Sequence, residues 1–192
     1  LPPAHMLIIQ TGNLTISRYW QLDPTVSSDF KTDEELIEAF QELFREAVHC
    51  RLDGAAPASM LSGGMDSSAI VGMGRKVLAD EGGQPLQVFA AISNSPDVNR
   101  ETSYISSVLD QGNLVPHLIS ETELSRSLDE LAKAIECESE PFDCLMNLNR
   151  SVYLHARRRG VNAILDGIDG DVLPGDADQP HDDRSPASQP HG

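Results

Sequence analysis

Ser62, Gly63, Gly64, Asp66, Ser67 and Ser68 stand together in the run ASMLSGGMDSSAIVGM, residues 58 to 73. Two glycines let a backbone approach an oxyanion closely, because no Cβ stands in the way. The three serines can supply hydroxyl donors. Asp66 would repel a phosphate unless a hard divalent cation such as Mg²⁺ bridged its carboxylate to the phosphate oxygens. The same residues also suit an ordinary turn with Asp66 as a helix N-cap, and one cap residue can serve both purposes. A second group, Asp166, Asp169 and Asp171, lies in LDGIDGD, residues 165 to 171. Three carboxylates at the carboxyl end of a strand suit a cation; an acidic, glycine-rich surface loop is the other reading.

These residues act together only if the chain's elements bring them to one place. Thr32-Asp33-Glu34-Glu35 has the form of a capping box, and Leu36, Phe40, Leu43, Phe44 and Ala47 follow at helical spacing, predicting a helix over about 33–51. Pro57 to Leu61 reads as a short buried strand. Ala69, Ile70, Met73 and Val77 mark the apolar face of a helix starting near Asp66. LQVFAAIS (86–93) is the next strand, and Tyr104, Ile105, Val108 and Leu109 mark a short helix. LVPHLIS (114–120) is a further strand, and Pro116, which lacks a donor, places that end at an edge or a strand start. Ser120 and Glu123 open a second capping box, with Leu124, Leu128, Leu131 and Ile135 on one helix face. A helix through Leu148, Val152 and Ala156 stops at Gly160, and VNAILDG reads as the last strand. Strands alternating with helices predict an α/β fold with a parallel sheet and flanking helices. A β-hairpin turning at Thr11-Gly12-Asn13 precedes it. The SGG loop then sits where parallel sheets bind ligands, beyond a strand's carboxyl end and at a helix N-terminus.

The net charge of −16, from 30 acidic and 14 basic residues, excludes a broad electrostatic surface for nucleic acid or an anionic membrane. No apolar run approaches the ~20 residues of a spanning helix, and no signal-peptide layout opens the chain. A cytoplasmic protein is expected. Cys50, Cys137 and Cys144 form no C-x-x-C pair and are expected to be reduced, mostly buried thiols. From Pro174 the sequence is rich in Pro, Asp, Ser and Gln without large aliphatics, so 174–192 is expected to be a disordered tail.

SGGMDSS matches the SGGxDS signature and resembles the PP-loop ATP pyrophosphatases, which cleave ATP between its α and β phosphates. The Walker pattern G-x-x-x-x-G-K-[ST] is absent. LPPAHMLII followed by SRYWQL, together with LDGIDGD in place of a second motif LSGxGxDE, is similar to the synthetase domain of asparagine synthetases from Leu1 to about Asp171. The resemblance implies a PP-loop, Rossmann-like fold. It divides the chain into a hairpin and linker left from an upstream glutaminase-type domain (1–30), an incomplete ATP-binding domain (31–173) and the tail. It puts Ser62, Gly63, Gly64, Asp66, Ser67 and Ser68 on the pyrophosphate loop. Met60 and Leu61 fall on the first strand, Ala91 at the adenine side, and Asp166 and Gly167 where the ATP pocket closes. Asp66 and Asp171 are implied to hold Mg²⁺. Glu136 lies near a family glutamate that helps shape the acceptor site, although a solvated helix-end carboxylate describes it as well, and His117 lies near a family histidine after the third strand, although a partly exposed strand-end histidine describes it better.

The implied activity is carboxylate adenylation by ATP with release of pyrophosphate, then attack by ammonia. Aspartate is the default acceptor, and asparagine biosynthesis the setting. Without a glutaminase domain in the chain, nitrogen is expected as free ammonia or from a separate glutaminase domain. Ile168 stands where the family has glutamate, and Val172 where it has an acidic residue. Beyond Asp171 the family continues through a helical region with another phosphate-contacting lysine, where this chain has the polar tail. A degenerate, non-catalytic ATP-binding paralogue is therefore the alternative, as is an amide-closing enzyme like the β-lactam synthetases and lasso-peptide cyclases.

Overall fold

The computed structural model describes residues 1–21, 23, 29–52, 57–93, 99–136, 146–168 and 170. The chain falls into two compact units, Leu1–Gln41 and Glu42–Gly192. In the first, β1 (His5–Gln10) and β2 (Asn13–Arg18) form an antiparallel hairpin in which Gln10 pairs with Asn13. The turn is Thr11-Gly12 alone, with φ of 47° and 82°. Positive φ at both central residues matches the twist of a two-residue hairpin. The left-handed positions are thus Thr11 and Gly12, and Asn13 belongs to the strand.

Helix α1 (Asp33–His49) begins one residue after Thr32, whose Oγ1 accepts the Glu35 N–H at 3.2 Å. The reciprocal half of the box reaches one residue further back: the Glu35 carboxylate accepts from the Lys31 N–H at 2.8 Å. Phe44 and Val48, near the helix end, pack into the core of the second unit, while Leu36, Phe40 and Leu43 stay exposed. Cys50 is exposed as well, contrary to the buried thiol expected of it, and Cys137 and Cys144 lie outside the described residues.

The second unit is built on β3 (Ala58–Met60), β4 (Leu86–Ile92) and β5 (Leu114–Ser120), parallel and in that order. Proline 116 does lie on an edge strand, opposite Val88. Alternation along β4 feeds two cores. Leu86, Val88 and Ala90 join Leu61, Val71, Val77 and Ile105 on one face; Phe89 joins Met60, Ile119, Val152 and Ala156 on the other. Helices α2 (Met65–Asp80) and α3 (Asn99–Leu109) serve the first face, and α6 (Asn147–Arg158) the second. The buried stripe of α2 is Ser67, Val71, Gly74, Val77 and Leu78; of the expected face Val77 is buried, Met73 packs partly buried against the core, Ile70 is half-buried and Ala69 is exposed. Gly74 extends the stripe: a Cβ there would stand 3.2 Å from Leu86 Cδ2, so the glycine edge is what lets the helix lie close on β4.

The helix expected after Ser120 is two helices, α4 (Glu121–Arg126) and α5 (Leu128–Glu136), broken at Ser127. Its capping box is complete, with both Ser120 and Glu123 side chains bonded to each other's backbone N–H. At the break, the buried Ser127 Oγ donates to the Glu123 carbonyl at 3.0 Å, lies 2.9 Å from His155 Nε2 and accepts from Arg158 Nη1 at 3.1 Å. A hydroxyl fixed by three partners on two elements outweighs a continuous apolar stripe.

Burial, with Arg158 beside it, holds His155 below the ordinary histidine value of 6.5, although Glu123 pulls the other way. His117 is lowered too, by burial and by Arg159. Unfolding lets both rings take a proton at their ordinary pKa, so the unfolded chain binds more protons once the pH drops below that value, and stability falls. The urea midpoint should therefore decrease between pH 7 and about 5.5. His155→Gln should remove part of that slope and His117→Gln another part. Glu123, lowered by its bonds from Ser120, loses its contribution only below its own ordinary value of 4.5, a separate window. A midpoint independent of pH above 5.5 would contradict this assignment.

Candidate active-site crevice

Leu165 lies on the other side of β3 from β4. Its carbonyl accepts from Met60 N–H at 2.8 Å, and its own N–H donates to Ala58 at 2.9 Å, a parallel pairing with Ser59. The chain thus builds the sheet from β3 outwards to β5, then returns to the opposite flank of β3. That reversal is a topological switch point, where the loops after two neighbouring strands part and leave a crevice beyond their carboxyl ends. A cavity of about 130 Å³ occupies it, lined by Met60, Ser62, Gly64, Asp66, Ser67, Asn149, Asp166, Gly167 and Ile168. It is smaller than the ~300–1,000 Å³ of a site that encloses a whole small molecule, and suits one end of a larger ligand.

The first wall is the loop after β3 and the first turn of α2. Gly63 has φ +88°, and a Cβ on it would stand 2.9 Å from the Glu101 carbonyl oxygen. The serine hydroxyls fasten this wall internally. Ser62 Oγ lies 2.9 Å from Ser67 Oγ and accepts the Gly64 N–H at 3.3 Å, while the Ser67 and Ser68 hydroxyls donate to the Gly64 carbonyl. The N-cap of α2 is Gly64, not Asp66, and it supplies no side-chain acceptor. The first i to i−4 bond runs from Ser68 N–H to the Gly64 carbonyl, so the N–H groups of Met65, Asp66 and Ser67 precede the helical ladder. Open amides at the positive end of the helix dipole favour an anion. The half-buried Asp66 carboxylate, in that same turn, has no hydrogen-bond or ion-pair partner among the described residues.

The second wall follows Leu165. Asp166 Oδ1 accepts the Ile168 N–H at 2.7 Å, and Oδ2 accepts from the Tyr153 hydroxyl on α6. Asn149, one turn earlier on α6, hydrogen-bonds the same phenol. Burial and the Asp166 carboxylate push the Tyr153 pKa well above its usual 10, so the phenol is a permanent donor. Glycines allow this wall to meet the first. A Cβ on Gly167 would stand 2.8 Å from Ser67 N, and one on Gly170 would stand 2.4 Å from Asp66 Cγ.

The sequence profile described as asparagine synthase matches residues 39–186, more than half of the chain. The chain belongs to the asparagine synthase family. It is 33% identical over 89 residues to asparagine synthetase [glutamine-hydrolyzing] 3 of Bacillus subtilis, a stretch covering 46% of this chain and 14% of that protein. It is 35% identical over 75 residues to the amidase chyE of Penicillium rubens, covering 37% of this chain and 11% of the other. The chain therefore spans a small part of these relatives' length. Among solved structures, an NH3-dependent NAD synthetase from Campylobacter jejuni, in complex with nitrate, aligns over 66% of this chain and 48% of its own with 17% identity and a TM-score of 0.35. The family is one of ATP-dependent, amide-forming ligases.

Of the positions the family resemblance singles out, Met60, Ser62, Gly64, Asp66, Ser67, Asp166 and Gly167 line the crevice, and Gly63 shapes its first wall. Ser68 is turned to the Gly64 carbonyl. Leu61 is wholly buried in the core, which leaves only its main chain for a ligand. Ala91 packs with the second core and does not line the crevice. Asp166 lines it with both carboxylate oxygens already engaged. Asp171, Asp169 and Val172 lie outside the described residues. Among the described residues no three His, Cys, Asp or Glu side chains converge as metal ligands. Asp66 alone still fits Mg²⁺, which usually takes one or two carboxylates and fills its other positions with phosphate oxygens and water. His117 is structural: it stacks on Phe89 at 4.4 Å and meets Gln87 Oε1 at 3.0 Å. Glu136 ends α5 in solvent. Sequence reading missed Asn149 and Tyr153. Their spacing of four residues on one helix was the available signal, but nothing local ties it to Asp166. No described helix is long and apolar enough to cross a membrane.

Proposed function

We propose that the crevice holds the phosphates of ATP and that the chain serves carboxylate activation and amide formation. A carboxylate oxygen attacks the α phosphorus, the bond to the bridging oxygen breaks, and pyrophosphate leaves. Ammonia then attacks the acyl carbon, AMP leaves, and the nitrogen sheds a proton to give the amide. Aspartate is the default acceptor. The observation that carries the reading is the open first turn of α2 at the switch point, with the Asp66 carboxylate beside it. Fixed amides aimed at charge on a departing pyrophosphate act without reorganisation. Asp66 would hold Mg²⁺, which neutralises part of that charge when bound. The relatives' names, synthetase and amidase, share the amide bond as the reacting group.

ATP–pyrophosphate exchange over a panel of carboxylates, aspartate included, tests the reaction. Exchange that depends on one acceptor is the expected result. Calorimetry tests the site: Asp66→Ala should weaken MgATP binding about tenfold with little change in the unfolding midpoint, because the carboxylate has no partner to lose among the described residues. Equal affinities would remove Asp66 from the site. Ile168 favours a second reading, nucleotide binding without turnover, since an apolar, 41% exposed side chain stands on the crevice wall where the family resemblance puts a glutamate. MgATP binding without exchange for any acceptor would establish it.

A further inference from the structure

We propose that Tyr153 is a positioning residue which, through Asp166, latches the second crevice wall onto the first turn of α2 and so sets the affinity for phosphate. Asp166 could have faced a ligand directly, but its two oxygens are divided between Tyr153 on α6 and the Ile168 N–H two residues on. One carboxylate therefore couples a packed helix to a short loop. Between Asp166 and the Ile168 N–H that it holds lies Gly167, where an added Cβ would meet Ser67 N and Asp66. Among the described residues, backbone pairing to the sheet anchors this wall at Leu165, and beyond it the side-chain restraint is this carboxylate. Tyr153 is well placed to hold it. Its ring packs against the second core with Val152 and Ala156 on either side in sequence, both buried, and Asn149 orients its hydroxyl. With the phenol a permanent donor, the latch leaves Asp66 as the open carboxylate among the described residues of the crevice. Loss of the hydroxyl would free Asp166 to turn into the crevice, adding a second negative charge beside the phosphate and releasing Gly167.

The proposal rests on the phosphate reading of the crevice, and its test separates the two. Tyr153→Phe, Asp166→Asn and the double variant are compared with the parent by calorimetry, using MgATP and magnesium pyrophosphate, and by amide hydrogen exchange at Ile168. Tyr153→Phe should weaken both ligands about tenfold and speed exchange at Ile168 several-fold, because the acceptor of that N–H is no longer held. If the two residues act along one path, the double variant should bind no worse than the weaker single variant. Additive losses would mean that Tyr153 acts by packing alone and would overturn the latch, as would affinity unchanged in Tyr153→Phe. If the parent binds neither ligand, the phosphate reading falls; the latch is then judged by Ile168 exchange alone, and exchange equal in parent and Tyr153→Phe overturns it. Should Tyr153→Phe fail to fold, Asp166→Asn supplies the same exchange comparison, with the same unchanged result counting against the latch.

Discussion

Gly63→Ala is expected to lower the free energy of unfolding by roughly 2–5 kcal/mol, from two additive causes. At φ +88° an L side chain is strained by about 1–2 kcal/mol whatever surrounds it. The new methyl would also stand 2.9 Å from the Glu101 carbonyl oxygen and 3.4 Å from its Cα, backbone atoms that cannot swing aside as a flexible side chain would. Relieving that overlap displaces the start of α3 or the loop itself, at about 1–3 kcal/mol. Gly12→Ala is the matched control: φ is similar at +82°, but nothing lies within 4 Å of its Cβ. It should show the strain without the overlap. Urea unfolding of both variants at constant m checks the difference. Equal losses at the two positions would show that the contact with Glu101 contributes nothing.

The second large effect concerns ligand affinity. Gly167→Ala should reduce MgATP affinity about 100-fold, or roughly 2.7 kcal/mol, while costing about 1–3 kcal/mol of stability. The methyl would stand 2.8 Å from Ser67 N and 3.1 Å from both Asp66 C and Asp66 Cβ. It would occupy the approach to an N–H that the phosphate reading assigns to the ligand and push the two crevice walls apart. Calorimetry beside the unfolding curve distinguishes these losses. Binding within threefold of the parent would mean that the wall at Gly167 does not shape the site.

The contrast between Gly63 and Tyr153 shows what the sequence could reveal. The loop after β3 was legible because its requirements are local: glycine for a left-handed backbone, small hydroxyl residues for a self-fastened turn, and apolar runs on either side. The parallel sheet and its edge at Pro116 follow from equally local signals. The helix break at Ser127 was not legible, because the partners that hold its hydroxyl, His155 and Arg158, lie 28 and 31 residues away. Likewise the buried stripe of α2 was legible only in part: periodicity marks Val77 and Met73, but the close approach at Gly74 gives no apolar signal. Hydrophobic exposure along α1 likewise could not be read from spacing, which marks an apolar stripe without saying what covers it. What the serine hydroxyls bond in the folded loop was not legible for a related reason. A serine beside two glycines reads as a ligand group, whereas the folded loop spends those hydroxyls on itself and leaves main-chain N–H groups open.

The return of the chain to the far side of β3 also governs when the crevice comes into being. Ser59 and Leu165 pair across 106 residues, whereas β3 and β4 pair across fewer than thirty. Loop closure of that span makes the pairing a late, non-local event in assembly. During synthesis the first wall is made long before the second, and at elongation rates of about 5–20 residues per second the interval lasts several seconds. For that time a nascent chain carries the SGG loop, with its exposed amides, but has no crevice. On the phosphate reading, capture of a nucleotide would wait until the segment around Gly167 has emerged and docked, and binding would then hold closed the longest loop in the described sheet.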